Sequence, residues 1–226
     1  MDGSSFKPMT QDALDPFLFR YGAEFNNEGD FKFATASGSW ENNYKATQPD
    51  APYTDSSVEF VKGFDPDNKW RLQSGELGKA YKICLDIRSG KERMLMAPFT
   101  PYENIWLVGD AAPGGWSLDD AVPMTKDASN PYVMTWTGTL NTGELKFTCD
   151  RSSDWNGAWF MSATNGAAPT GQEEKALFID KHSDDLKAQY LTVDIMNIDN
   201  KWKIEEAGTY KITLNQLTET ITIAKQ

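Results

Sequence analysis

The sequence predicts an all-β protein made of two tandem β-sandwich modules, and three observations carry that expectation. Aromatic residues make up 12% of the chain, with 8 Trp, 8 Tyr and 12 Phe, which is the supply that strand-rich cores draw on. Runs such as Tyr210-Lys211-Ile212-Thr213-Leu214 alternate apolar with polar side chains, the period of a half-buried strand. The words of one half also recur in the other. Gly29-Asp30-Phe31-Lys32-Phe33 followed by Trp40 returns as Gly143-Glu144-Leu145-Lys146-Phe147 followed by Trp155, and a chain of 226 residues suits two modules, each able to bury a modest core.

Taken in order, the first module opens with Pro8-Met9-Thr10-Gln11-Asp12-Ala13 and Pro16-Phe17, matched by Pro123-Met124-Thr125-Lys126-Asp127-Ala128 and Pro131-Tyr132 at the same spacing. The next strands are Phe17–Tyr21 and Tyr132–Trp136, with Phe19 and Tyr21, or Met134 and Trp136, on one core-facing side. In the strands that follow, Leu145 and Phe147 enter the core and Lys146 is expected to point outward, near an aromatic delivered by the next turn. Those turns, Ser37–Asn43 and Ser152–Gly157, place Trp40 and Trp155 on loops.

Late in each half Asn68-Lys69-Trp70 matches Asn200-Lys201-Trp202, and Gly78-Lys79-Ala80-Tyr81 matches Gly208-Thr209-Tyr210, after which both halves end in strand, turn and strand. Trp70, Trp202, Tyr81 and Tyr210 read as core, because Trp202 shares a face with Ile204 and Tyr210 with Ile212. The extra length of the second half includes Asn165–Gln172, expected to be a surface loop.

Tyr102–Ser117 in the second half, a strand and a Pro113-Gly114-Gly115 turn ending on Trp116, has no counterpart in the first, where Trp116 would align with Met1. The first module is therefore expected to lack its N-terminal strand, through a trimmed chain, a misplaced start codon or a degenerate module, and to carry an unpaired sheet edge. The boundary is expected near Ala97–Pro101, giving a first module over 1–98 and a second over 99–226, joined by a short, proline-stiffened linker.

A formal net charge of -11 argues against nucleic acid and against an anionic membrane surface, so a neutral partner fits better. The two cysteines, Cys84 and Cys149, lie one in each half and read as small strand residues rather than a disulfide framework. No apolar run is long enough to span a bilayer and the first residues are not a signal peptide, so the protein is either cytoplasmic or has lost a targeting segment.

The candidate binding residues are Trp116, Lys146 and Trp155, with Asn156 and Trp159 added by proximity, and Lys32 and Trp40 in the first module. Two ring faces and a hydrogen-bond donor suit a curved, neutral oligosaccharide, whose CH-rich faces stack and whose hydroxyls take directed bonds. The bland alternative is that Trp116 and Trp155 cap a sandwich core and that Lys146 is an ordinary solvated lysine.

Trp106–Ser117, Gly143–Phe147, Trp155 and Trp202–Ile212 together resemble the SusE/SusF family of outer-membrane starch-binding lipoproteins of Bacteroidetes, over nearly the whole second module. Their order also looks like the starch- and glycogen-binding sandwich modules attached to amylases and to a metabolic kinase, in which two tryptophans and a lysine hold the glucan. The resemblance implies two immunoglobulin-like sandwiches, no catalysis, no cofactor, and Trp116, Lys146 and Trp155 as the glucan contacts. It also implies starch or maltooligosaccharide as ligand, display at the outer-membrane surface by a lipidated cysteine upstream of this chain, and company with other glycan-uptake components. In the first module Lys32 and Trp40 match, but nothing in sequence replaces Trp116.

Two other readings stand beside it. A glycoside hydrolase needs two carboxylates across a cleft, about 5–5.5 Å or 6.5–9.5 Å apart, and two sandwich-sized modules leave no room for a typical catalytic domain. Immunoglobulin-like spacers with buried tryptophans are the main alternative for the first module. His182 is the only histidine and there is no Cys-x-x-Cys, which disfavours catalytic triads and zinc sites. Asp110, Asp119 and Asp120 read as turn acids sooner than calcium ligands.

Overall fold

The computed structural model describes residues 6–27 and 29–226. The expected vacancy at the start of the first module falls on Met1, outside the described residues. The chain divides into two compact units, one of Pro16–Thr100 with the segment before it up to Asp12, the other of Pro101–Gln226 with Ala13–Asp15. The architecture is all-β, with one short α-helix among the described residues.

The first unit holds β1 (Thr10–Gln11), β2 (Leu18–Phe25), β3 (Gly29–Phe31), β4 (Phe33–Ala36), β5 (Ser39–Ala46), β6 (Ala51–Pro52), β7 (Val58–Lys62), β8 (Trp70–Leu72), β9 (Lys79–Asp86) and β10 (Arg93–Pro98). They form three sheets in the orders β1-β2-β9-β10, β3-β8-β6 and β4-β5-β7. Trp70, Leu72, Tyr81, Ile83, Leu85 and Met94 close the core, against which Phe31, Phe33, Phe19 and Tyr21 pack. The indole N–H of Trp70 donates to the Asp55 carbonyl at 2.8 Å, so its polar edge is not left unpaired in the interior.

The second unit holds β11 (Trp106–Val108), β12 (Val122–Pro123), β13 (Thr125–Lys126), β14 (Val133–Leu140), β15 (Gly143–Thr148), β16 (Ala158–Ser162), β17 (Glu174–Asp180), helix α1 (Asp184–Gln189), β18 (Trp202–Ile204), β19 (Gly208–Asn215) and β20 (Thr220–Lys225). Two layers, β12-β11-β15-β16-β17 and β20-β19-β14-β13, are continuous through a short pairing of β17 with β20, and β18 pairs β15. Leu145, Phe147, Phe160, Trp202, Ile212 and Ile223 fill the space between them. Gln216 is fully buried and closes the unit by pairing its side-chain amide with both backbone groups of Tyr102, at 2.8 and 3.1 Å.

The repeated words pair alike. In the first unit Gly29, Asp30 and Phe31 face Leu72, Arg71 and Trp70; in the second Gly143, Glu144 and Leu145 face Ile204, Lys203 and Trp202. Lys146 continues β15 as expected, whereas Lys32 falls in the break between β3 and β4. No helix among the described residues is long and apolar enough to cross a membrane.

Candidate functional site: a buried lysine under tryptophans

Strand β15 sends Leu145 and Phe147 into the core and Lys146 to the opposite face, beside the Trp155 ring of the next loop, and the bland alternative of a solvated lysine is not what is found there. Lys146 is only 5% exposed. Its Nζ lies 3.8 Å from the ring centre of Trp159, 5.3 Å from Trp155 and 5.9 Å from Trp116. The aromatic faces carry the negative end of the ring quadrupole, which compensates a cation taken out of water. A carboxylate completes the compensation: Lys146 Nζ donates to Asp199 Oδ1 at 2.6 Å, and Lys201 Nζ donates to Asp199 Oδ2 at 2.8 Å.

The electrostatics follow. Burial pushes the Lys146 ammonium below its ordinary value, and the Asp199 carboxylate holds it up in part. For Asp199 desolvation acts upward, but the hydrogen bonds from Lys146 and Lys201 outweigh it and the carboxyl lies below its usual range. The cluster is thus one carboxylate accepting from two lysine side chains at once.

Trp116 is presented by the turn after β11. Gly109 N–H donates to Gly115 O at 3.0 Å, and Gly115 N–H to Ala112 O at 3.0 Å. A Cβ at Gly114 would sit 2.0 Å from the Asp120 carbonyl oxygen, so this backbone contact needs a glycine. The indole that emerges is 37% exposed.

Trp155 is presented by a different device, the loop between β15 and β16. It adopts φ +63°, unusual for a bulky residue, and its N–H donates to Ser152 O at 2.9 Å. Asp154 holds that loop through Asn156 N–H at 2.9 Å, Ser152 Oγ at 2.8 Å and His182 Nε2 at 3.1 Å. Asp150 ties its ends by accepting from Ser152 N–H and Ala158 N–H, each at 3.1 Å.

The structure thus brings Trp116, Lys146, Trp155 and Trp159 together. Trp155 stacks on Trp159 at 5.6 Å with an interplanar angle of 8°, while Trp116 meets Trp155 at 6.3 Å and 54°. Trp159, expected as a contact, is corrected: at 1% exposure it lies beneath Trp155 and supports that ring rather than offering a face of its own. Its indole N–H is buried without a hydrogen-bond partner. Asn156 is half-buried in the Trp155 loop, where its N–H serves Asp154.

Asp199 and Lys201 were not among the expected site residues. A signal exists: Asp67-Asn68-Lys69-Trp70 and Asp199-Asn200-Lys201-Trp202 are the same four-residue word, one position longer at its start than the repeated Asn-Lys-Trp. The segment is fixed by Asn200 Nδ2 donating to Ser162 O at 3.1 Å and Lys201 N–H donating to Asn165 Oδ1 at 3.0 Å. The latter bond shows what the Asn165–Gln172 excursion does: its start clamps the backbone beside the charge cluster. In the first unit Lys32 bonds Asp67, Lys69 joins the same carboxylate at 2.8 Å, and Lys32 Nζ lies 4.2 Å from the centre of the Trp40 ring.

Chemically, the second unit offers an angled indole pair at the surface, with a half-exposed carboxylate and two ammonium groups beside it. Asp110, the first of the turn acids, accepts from the Glu144 N–H, a backbone role.

No known family profile matches the sequence, and no curated protein matches it. Among solved structures the chain is similar to the crystal structure of SusF from Bacteroides thetaiotaomicron, with 17% identity over 99% of this chain and 46% of that one and a TM-score of 0.40. The chain thus spans less than half the length of that SusF chain.

Proposed function

We propose that this protein binds a neutral glycan without cleaving it, with starch and its oligosaccharides as the leading ligand, and that it does so at the cell surface as part of a glycan-uptake system. One observation carries the reading: Trp116 and Trp155 stand at 54° to each other over a desolvated Lys146 that is already paired with Asp199. Two apolar planes set at an angle fit the CH faces of successive sugars in a chain that bends, and each stacked ring is worth about 1–3 kcal/mol if base stacking is the guide. Asp199 and Lys201 then supply an acceptor and a donor to sugar hydroxyls at the edge of the stack.

The same charges speak against hydrolysis at this place. A glycosidase needs one carboxylic acid that holds its proton near neutral pH beside a second carboxylate. Here Asp199 is kept ionised by two lysines, and Asp154 is held far below the carboxylate range, first by the Asn156 N–H and then by Ser152 and His182.

Affinity electrophoresis in gels containing amylopectin, beside gels with other neutral and acidic polysaccharides, tests the reading. The protein is expected to be retarded by amylopectin, and Trp116→Ala and Trp155→Ala each to lose most of the retardation. Migration unchanged by every glycan sinks the proposal, and release of reducing sugar from any of them replaces it with an enzyme. Surface display is checked separately, by protease accessibility on intact cells.

A further inference from the structure

The first unit has no tryptophan in the place that Trp116 occupies in the second, yet its lysine is also covered by rings. Lys32 Nζ lies between Trp40, at 4.2 Å from the ring centre, and Phe64, at 4.7 Å. Phe64 comes from a loop that belongs to neither of the repeated tryptophan turns, and at 50% exposure it is among the most exposed large apolar side chains described. We propose that Phe64 is the missing second platform, so that Trp40, Phe64, Lys32 and Asp67 form a second glycan site in the first unit, for the same class of neutral, CH-faced sugar chain. This inference rests on the reading of the second unit given above.

The loop is built to hold that ring out. Lys45 is fully buried, and its ammonium bonds the carbonyls of Phe64, of Pro66 at 2.9 Å and of Gly63 at 3.5 Å. Asn43, fully buried as well, donates to Gly63 O at 3.2 Å. Two buried polar side chains spent on consecutive carbonyls give a fixed backbone under an exposed phenyl ring, so stacking on it costs little ordering. Beyond the loop, Asp67 joins Lys32 and Lys69 just as Asp199 joins Lys146 and Lys201. Half-buried Phe6 lies against Trp40 at 4.8 Å and 39°, closer than the 6.3 Å between Trp116 and Trp155, so it backs the Trp40 ring and Phe64 is the more exposed of the two phenyl rings.

The position repeats too. Phe64 stands three residues before Asp67, and the residue three before Asp199 is Met196, also an exposed large apolar side chain.

Calorimetric titration with maltoheptaose, backed by amylopectin gels, separates the outcomes. The intact protein is expected to bind at two sites per chain, and Trp116→Ala with Trp155→Ala to leave one. Adding Phe64→Ala to that double variant is expected to weaken the remaining site about tenfold or more, and Phe64→Trp to keep it. Melting curves confirm folding, since a half-exposed ring is removed. A single site that vanishes in the tryptophan double variant overturns this proposal and leaves the function of the second unit standing. A remaining site indifferent to Phe64→Ala also overturns it, whereas no binding by the intact protein overturns both.

Discussion

Lys146 shows what it takes to keep a cation at 5% exposure: three indole faces and one carboxylate. Because burial lowers its affinity for a proton, it loses its charge at a pH below the ordinary lysine value of 10.5. Glycan binding is therefore expected to fall on the alkaline side before ordinary lysines titrate, and a binding profile flat to that value would refute the role given to its charge. The sign for stability is opposite: with the folded-state value depressed, the cost of carrying the buried charge disappears as pH rises through it. Asp199, also depressed, contributes stability that is present above the unfolded value of 3.8 and is lost as pH falls through its folded value. Asp199→Asn should flatten that acid limb and, by leaving Lys146 without its counter-charge, cost about 1–3 kcal/mol in urea denaturation, a figure kept low because the carboxylate is half-exposed. Trp159→Ala, which removes the buried ring under both Trp155 and Lys146, should cost more, about 3–5 kcal/mol.

At the scale of elements, two turns of different construction deliver the two rings. The Trp116 turn depends on glycine where no Cβ fits, and the Trp155 loop on aspartates that accept backbone N–H groups. Asp154→Ala is expected to leave the melting temperature nearly unchanged, because the residue is exposed, while weakening binding by freeing Trp155. Equal affinity in that variant would show that Trp155 does not need its loop held. Gly114→Ala forces the turn away from Asp120 and is expected to impair both stability and binding. These elements also show what is legible in sequence. Trp70, Trp202, Tyr81 and Tyr210 read as core from alternation, and all four are buried. The burial of Lys146 was not legible, since lysine is ordinarily solvated and its carboxylate lies 53 residues away. Phe64 carries no repeat signal, because the residue at the same offset in the second half is Met196 and no aromatic recurs there.

At the scale of the whole molecule, charge and repetition make separate demands. With a formal net charge of -11, the chain repels polyanions, and a ligand held by ring stacking and hydroxyl bonds releases no counterions. Affinity for a maltooligosaccharide is thus expected to change less than twofold between 50 and 500 mM NaCl, whereas a ligand that is a phosphate or sulfate polymer would lose orders of magnitude over that range. Repetition acts on polymer length. Two weak sites on one chain turn the second contact with a polysaccharide into an intramolecular event, which raises retention on polymer without changing affinity for a short oligosaccharide. Removing the second site by Phe64→Ala should therefore weaken binding to amylopectin by a larger factor than binding to maltotriose. If both ligands respond by the same factor, the two units act independently, and repetition adds capacity rather than avidity.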